Sequence, residues 1–137
     1  TSRAMLATIL YRAAGSPELF EPPSFDDTPL VSWYSEGAAW ASQSGIMMGY
    51  GNGLFGANDP VTREQIATIL WRYAGSPNVG DGEDFADENS IAEFAGDAVD
   101  WARANGIMDG VSGNRFLPKS NATRAQVAVI LSNYLES

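Results

Sequence analysis

The protein is a chain of 137 residues with a formal net charge of −9 at pH 7, and 45% of its residues are hydrophobic, which suits one folded domain and excludes a disordered chain. Neither cysteine nor histidine is present, which excludes disulfides, thiolate or imidazole metal sites and the common Ser-His and Cys-His catalytic centres. The acidic balance argues against nucleic-acid and anionic-membrane partners, and no apolar run reaches the ~20 residues of a membrane-spanning helix.

The chain repeats itself, and Arg3, Arg63 and Arg124 mark the three copies, 60 and 61 residues apart. Segment 1–17 returns at 61–77 with the same Gly-Ser-Pro ending. Between the copies, a Phe-x-Asp opening, an alanine-rich segment and a Gly-Ile-Met turn also recur. Because short repeats share a core, we expect one folded domain made of three parts. These are the last helix of an incomplete first unit (1–16), a second unit (25–77) and a third unit (85–137).

In chain order, the first helix of the second unit is predicted over 32–44 and its relative in the third unit over 91–105, since apolar residues recur there at helical spacing. Each helix stops at a glycine, Gly45 or Gly106, where the left-handed conformation of a helix end is expected. Gly-Asn turns follow at 51–53 and 112–114. We expect only short β-like segments around them.

The second helix of each unit has the strongest signals. Thr62 and Thr123 are predicted N-caps, each with a glutamine three residues later that completes a capping box, whereas Met5 leaves the first box incomplete. Each copy also carries an apolar stripe. The predicted fold is therefore mainly α and repeat-built, with a central three-helix bundle about a pseudo-threefold axis.

Arginine occupies the first turn of all three helices, as Arg3, Arg63 and Arg124. A cation there opposes the helix dipole at a cost of up to ~1 kcal/mol, so its recurrence indicates a specific role. A guanidinium beside free helix N–H groups suits a carboxylate or phosphate. The alternative is an ion pair with an aspartate at position 26, 27, 59 or 87. Arg12 and Arg72, near the helix C-termini, suit the dipole and are interpreted as structural.

These motifs resemble those of the S-layer homology domain family. The resemblance rests on the Phe-x-Asp opening, the Trp33-Tyr34 pair, the Gly-Ile-x-x-Gly-Tyr turn that ends at Tyr50, and the Thr-Arg helix starts. It covers almost the whole chain and implies that the units fold together as a trefoil or spindle around the three-helix bundle. It implies an extracellular module that anchors proteins non-covalently to secondary cell-wall polymers of bacteria, anionic polysaccharides that often carry pyruvate ketals.

The resemblance also implies a ligand groove between adjacent units, complete only between the second and third. Arg63 and Arg124 would hold the carboxylate, and we expect Arg63→Ala and Arg124→Ala to reduce wall binding with little change in thermal unfolding. Trp33 is either a sugar-stacking residue or a core aromatic. The implied ligand-binding residues are Arg63, Arg124, Trp33, Tyr50, Gly49, Gly110 and, with its unit incomplete, Arg3.

The alternative function is a protein–protein or S-layer assembly module. The incomplete first unit is expected to leave an apolar face of Leu6, Ile9 and Leu10 that would favour homo-oligomers. Segment 51–59 lacks the carboxylates of a calcium loop, and nothing singles out a glycosidase pair among the 17 carboxylates. We therefore expect no catalysis, no metal and no cofactor.

Overall fold

A computed structural model describes residues 1–19, 25, 33–49, 53–79 and 84–136. Over these residues the fold is mainly helical, with five α-helices, two 3₁₀ turns and no β-sheet. Of the three isolated bridges among the described residues, only Val111 with Arg115 flanks a Gly-Asn turn, where β-like segments were expected. None of the described helices is long and apolar enough to cross a membrane. The helices are α1 (Arg3–Ala13), α2 (Ser35–Gln43), α3 (Arg63–Tyr73), α4 (Gly96–Ala104) and α5 (Arg124–Glu136).

The chain divides into two compact units, Thr1–Pro60 and Val61–Ser137. In the first unit α1 packs against α2, and in the second α3 packs against α4. The division falls inside the predicted repeat 25–77. Each compact unit therefore joins the last helix of one sequence repeat to the first helix and turn of the next.

The predicted helix starts are confirmed by their hydrogen bonds. The Thr62 hydroxyl accepts from the Gln65 amide at 3.3 Å, and the Gln65 side chain accepts from the Thr62 amide at 3.0 Å. Thr123 and Gln126 make the same pair of bonds at 3.1 Å each. Ser2 accepts only from the Met5 amide, at 3.2 Å, because methionine cannot return the bond. Local side-chain chemistry thus begins each copy at the same place.

The alanine-rich helices also end where the glycines predict. Gly45 and Gly106 follow α2 and α4 with φ of 73° and 68°, in the left-handed region. Helix α2 begins later than predicted, because Trp33 lies in the turn before it and Tyr34 is its N-cap, whereas its end at Gln43 is within one residue of the prediction; Ser32 lies outside the described residues.

The prediction for α4 was wrong at its start. Ile91 and Ala92 are extended, a 3₁₀ turn covers Glu93–Ala95, and the α-helix begins only at Gly96. The Ala92 amide donates to the Glu64 carboxylate at 3.0 Å, so a tertiary hydrogen bond holds this segment outside the helix.

The expected exposed face on α1 is also wrong. Leu6 and Leu10 are 0% and 2% exposed in a compact unit where α1 packs against α2, and only Ile9 is open, at 41%. Homo-oligomers through this face therefore lose their main support.

Candidate functional site

Arg3 and Arg63 fold their side chains inward from the first turn of α1 and α3. The Nε of Arg63 donates to the Phe116 carbonyl at 2.8 Å, and its Nη2 donates to the Asp109 carbonyl at 3.0 Å. The guanidinium carbon lies 5.1 Å from the centre of the Phe116 ring. We call this arrangement an arginine clamp, because one planar fork binds two carbonyls of a distant turn.

The first compact unit contains the same clamp. The Nε of Arg3 donates to the Phe55 carbonyl at 3.0 Å, its Nη2 donates to the Met48 carbonyl at 2.6 Å, and its guanidinium carbon lies 5.1 Å from the Phe55 ring. Arg3 is 6% exposed and Arg63 is 7% exposed. Both side chains therefore support the turn that follows the alanine-rich helix.

Gly49 and Gly110 lie in the clamped turns, where the absence of a Cβ lets an aromatic ring pack against the backbone. A Cβ on Gly110 would lie 2.9 Å from the Phe85 ring and 3.1 Å from the Arg115 carbonyl oxygen, and a Cβ on Gly49 would lie 2.5 Å from the Phe25 ring. Each phenylalanine belongs to a Phe-x-Asp opening. The sequence thus uses glycine here for close approach of the opening to the turn.

Asp87, the aspartate of the Phe-x-Asp opening in the third unit, also binds the turn that Arg63 clamps. Its carboxylate accepts from the Phe116 amide at 2.8 Å and from the Leu117 amide at 2.9 Å. Burial alone would raise the pKa of Asp87, but backbone N–H donors and the charge of Arg115 outweigh it and hold the pKa below its usual value. Burial lowers the pKa of Arg63, and the charge of Asp87 works against that shift.

Sequence reasoning missed one ion pair, between an exposed lysine and a buried glutamate. Lys119 Nζ lies 2.7 Å from Glu64 Oε2, and the Glu64 side chain is 4% exposed. The same carboxylate accepts from the Ala92 amide. The available signal was the glutamate itself, since the other two copies have alanine at this position, Ala4 and Ala125. Among the described residues no group of three or more acidic side chains could hold a metal ion.

Arg63 also borders a groove of about 340 Å³ within the second compact unit. We call it the Arg63 groove. One wall is the turn that Arg63 clamps, and the other is one side of α5 between Ala125 and Asn133. Its lining combines four polar side chains with an apolar floor. The lining residues are Arg63, Ile107, Met108, Asp109, Ala125, Gln126, Val129, Ile130 and Asn133.

The structure gathers only part of the predicted site set. Arg124 is exposed at the start of α5 and does not line the Arg63 groove, although its neighbour Ala125 does. Trp33 belongs to the first compact unit, where 60% of its surface is exposed. Tyr50 lies outside the described residues.

Comparison with known proteins identifies the family. Residues 24–67 and 84–128 match the S-layer homology domain. The chain is 31% identical to an amylopullulanase of Thermoanaerobacterium thermosulfurigenes over 98% of its length, which is 8% of that relative. It is 32% identical to an endoglucanase of a Bacillus species, over 98% of the chain and 15% of the relative. It is 30% identical to the surface-layer 125 kDa protein of Lysinibacillus sphaericus, over 99% of the chain and 12% of the relative.

The chain therefore spans less than a sixth of the length of each of these relatives. The two enzymes and the surface-layer protein share this segment although their names describe different activities. With two family matches over most of its length, the chain belongs to the S-layer homology domain family and is assigned to the extracellular bacterial cell surface.

Proposed function

We propose that this chain is a non-catalytic cell-wall anchoring module, and that it binds an anionic secondary cell-wall polysaccharide in the Arg63 groove. The observation that carries the proposal is a fixed cation with spare donors. Arg63 uses two of its five N–H groups on turn carbonyls, and its other three have no partner among the described residues. The clamp holds these donors in place before a ligand arrives, so little side-chain entropy is lost on binding.

The chemistry of the groove suits an acidic sugar. The free edge of the Arg63 guanidinium can donate to a carboxylate. Asp109 and Gln126 supply acceptors and donors for sugar hydroxyls. The apolar side chains of Ile107 and Val129 can cover the methyl group of a pyruvate ketal. Arg124 would add attraction from outside the groove, and Arg3, Gly49 and Gly110 would shape the turns.

The net charge of −9 opposes an anionic polymer at long range. Salt screens this repulsion over ~8 Å at physiological ionic strength, whereas the Arg63 contact acts at hydrogen-bond distance. We therefore expect binding to weaken at low salt, where the repulsion reaches further.

Charge changes at Val129 test the proposal. Val129 lines the groove, is 60% exposed and makes no clamp contact, so substitutions there spare the fold. Val129→Glu should reduce binding to purified cell-wall sacculi, and Val129→Lys should increase it. Leu135→Glu and Leu135→Lys are the matched controls, since Leu135 lies on the same helix outside the groove lining and is 75% exposed. If binding responds equally to both charges at Val129, the groove does not bind an anion.

An assembly function is the second candidate, and two exposed apolar side chains on α5 favour it. Val129 and Leu135 are large apolar residues left 60% and 75% exposed on this helix. Light scattering at high protein concentration tests this function. A parent chain that stays monomeric at high concentration opposes the assembly function. A parent chain that forms a dimer supports it if Leu135→Lys is monomeric. The central bundle and pseudo-threefold symmetry implied by the resemblance remain a prediction for either function.

A further inference from the structure

A second cleft lies between the C-terminal half of α1 and the start of α2, within the first compact unit. Its volume is about 220 Å³, and it shares no residue with the Arg63 groove. It is lined mainly by polar side chains and one exposed indole. The lining residues are Thr8, Tyr11, Arg12, Ser16, Trp33, Glu36 and Gly37. We call it the Trp33 cleft.

We propose that the Trp33 cleft binds one neutral pyranose residue of a glycan, with the indole as stacking surface and Arg12 and Glu36 as hydrogen-bonding partners. Trp33 stands in the turn before α2 with 60% of its surface exposed. Its ring meets Tyr34 at 75°, with 5.0 Å between ring centres. This edge-to-face contact fixes the orientation of the indole, so the C–H face of a sugar ring meets a positioned aromatic surface.

The polar side chains of the cleft have spare hydrogen-bonding capacity. Arg12 is exposed, and its side chain has no ion pair or hydrogen bond among the described residues. The Tyr11 hydroxyl lies 2.8 Å from the Pro17 carbonyl oxygen and 3.1 Å from Glu36 Oε2, so one proton is shared between two acceptors. The Glu36 carboxylate can therefore accept further bonds. Sugar hydroxyls both donate and accept, which matches this set.

The charges of the cleft select the ligand class. Arg12 and Glu36 contribute one charge of each sign to the lining. An acidic sugar that approached Arg12 would be repelled by the Glu36 carboxylate. A basic sugar that approached Glu36 would be repelled by Arg12. A neutral pyranose can use both groups without repulsion.

The floor of the cleft carries an unpaired polar atom. The Thr8 side chain is buried, and its Oγ1 has no hydrogen-bond partner among the described residues. The equivalent hydroxyl in the second compact unit, Thr68, donates to the Glu64 carbonyl at 2.9 Å. An unsatisfied buried hydroxyl costs about 1–3 kcal/mol, and no group among the described residues offsets that cost in the first compact unit.

The second compact unit offers a matched comparison at the same positions. Phe94 stands where Trp33 stands and is 55% exposed, Asp97 replaces Glu36, and Ala98 replaces Gly37. A Cβ on Gly37 would lie 2.9 Å from Thr8 Cα and 3.1 Å from its Oγ1, so glycine lets α2 approach the floor closely. The proposed subsite is therefore specific to the first compact unit.

Nuclear magnetic resonance of the full chain tests the inference through the indole N–H signals, with that of Trp33 assigned from Trp33→Phe. The probes are methyl α-glucoside, methyl α-galactoside, N-acetylglucosamine and glucuronate. We expect at least one neutral sugar to shift the Trp33 signal to saturation, and to bind more tightly than glucuronate. In titrations followed by backbone amide signals, which do not need the indole, Trp33→Ala should weaken that binding by about tenfold, and Phe94→Ala should leave it unchanged. Glu36→Gln should weaken it, whereas Asp97→Asn should not.

The inference is overturned if no neutral sugar shifts the Trp33 signal, if glucuronate binds most tightly, or if Phe94→Ala weakens binding as much as Trp33→Ala. It rests on the proposed function only in that the ligand is a glycan. The two fail separately, because Val129→Glu acts on binding to sacculi and leaves the Trp33 signal with neutral sugars unchanged.

Discussion

Replacement of Arg63 by alanine should destabilise the protein strongly, whereas the same change at Arg124 should not. Each hydrogen bond from the Arg63 guanidinium is charge-assisted, and such bonds contribute about 1.5–3 kcal/mol each. The contact with the Phe116 ring adds about 0.5–2 kcal/mol. Relief of the dipole conflict returns up to ~1 kcal/mol. These contributions give about 2.5–8 kcal/mol, and because single substitutions rarely cost more than about 5 kcal/mol, we expect Arg63→Ala to lower the free energy of unfolding by about 3–5 kcal/mol.

Urea denaturation at pH 7, followed by circular dichroism, measures this difference directly. Arg124→Ala should stay within about 0.5 kcal/mol of the parent, because its side chain is exposed and lines no groove. Arg63→Lys should fall between the two, since lysine keeps the charge but lacks the planar fork. If Arg63→Ala unfolds at the same urea concentration as Arg124→Ala, the clamp does not hold the turn. The clamp geometry thus changes the sequence-based expectation for Arg63 but not for Arg124.

Three further variants test other parts of the structure, each by thermal or urea denaturation. Gly110→Ala should cost about 1–3 kcal/mol because its Cβ would lie 2.9 Å from the Phe85 ring, whereas Gly96→Ala, with nothing within 4 Å, should gain about 0.5–1 kcal/mol; equal effects would contradict the packing argument. Thr8→Val should stabilise the protein by about 1 kcal/mol, since it removes an unsatisfied hydroxyl; a loss of stability would show that the hydroxyl is paired. Stability should fall on acidification below about pH 5, because the unfolded state then binds a proton that folded Asp87, with its lowered pKa, does not; Asp87→Asn should flatten this fall, and an unchanged slope would refute it.

Features set by neighbouring residues could be predicted from the sequence. The capping box at Thr62 requires only Gln65, three residues away. The left-handed backbone of Gly45, which ends α2, requires only a residue without a Cβ. These signals are complete within one helical turn. They determine where α3 and α5 begin and where α2 and α4 end.

Features set by distant contacts could not be predicted in this way. Arg63 was visible as an unusual cation in a first turn, but its carbonyl partners lie 46 and 53 positions further along the chain. The start of α4 depends on a hydrogen bond from Ala92 to Glu64, 28 positions away. A sequence pattern shows that such a residue needs a partner without showing which group it binds.

In the candidate sites too, the roles of single residues depend on distant contacts that the sequence does not show. Trp33 was left between a core and a sugar-binding role, and its 60% exposure follows from the way α1 and α2 pack rather than from its own neighbours. Arg12, interpreted as structural from the helix dipole, has no partner among the described residues and lines the same cleft. Spatial neighbours, not sequence neighbours, distinguish the two roles.

The most direct test of the anchoring function is a pull-down of this chain with purified cell-wall sacculi, before and after chemical removal of the secondary polymer. The proposal predicts that the chain binds intact sacculi and that this binding disappears when the polymer is removed. Arg124→Ala, which remains folded, should reduce the binding only modestly. Binding that survives removal of the polymer, or no binding to intact sacculi, would contradict it.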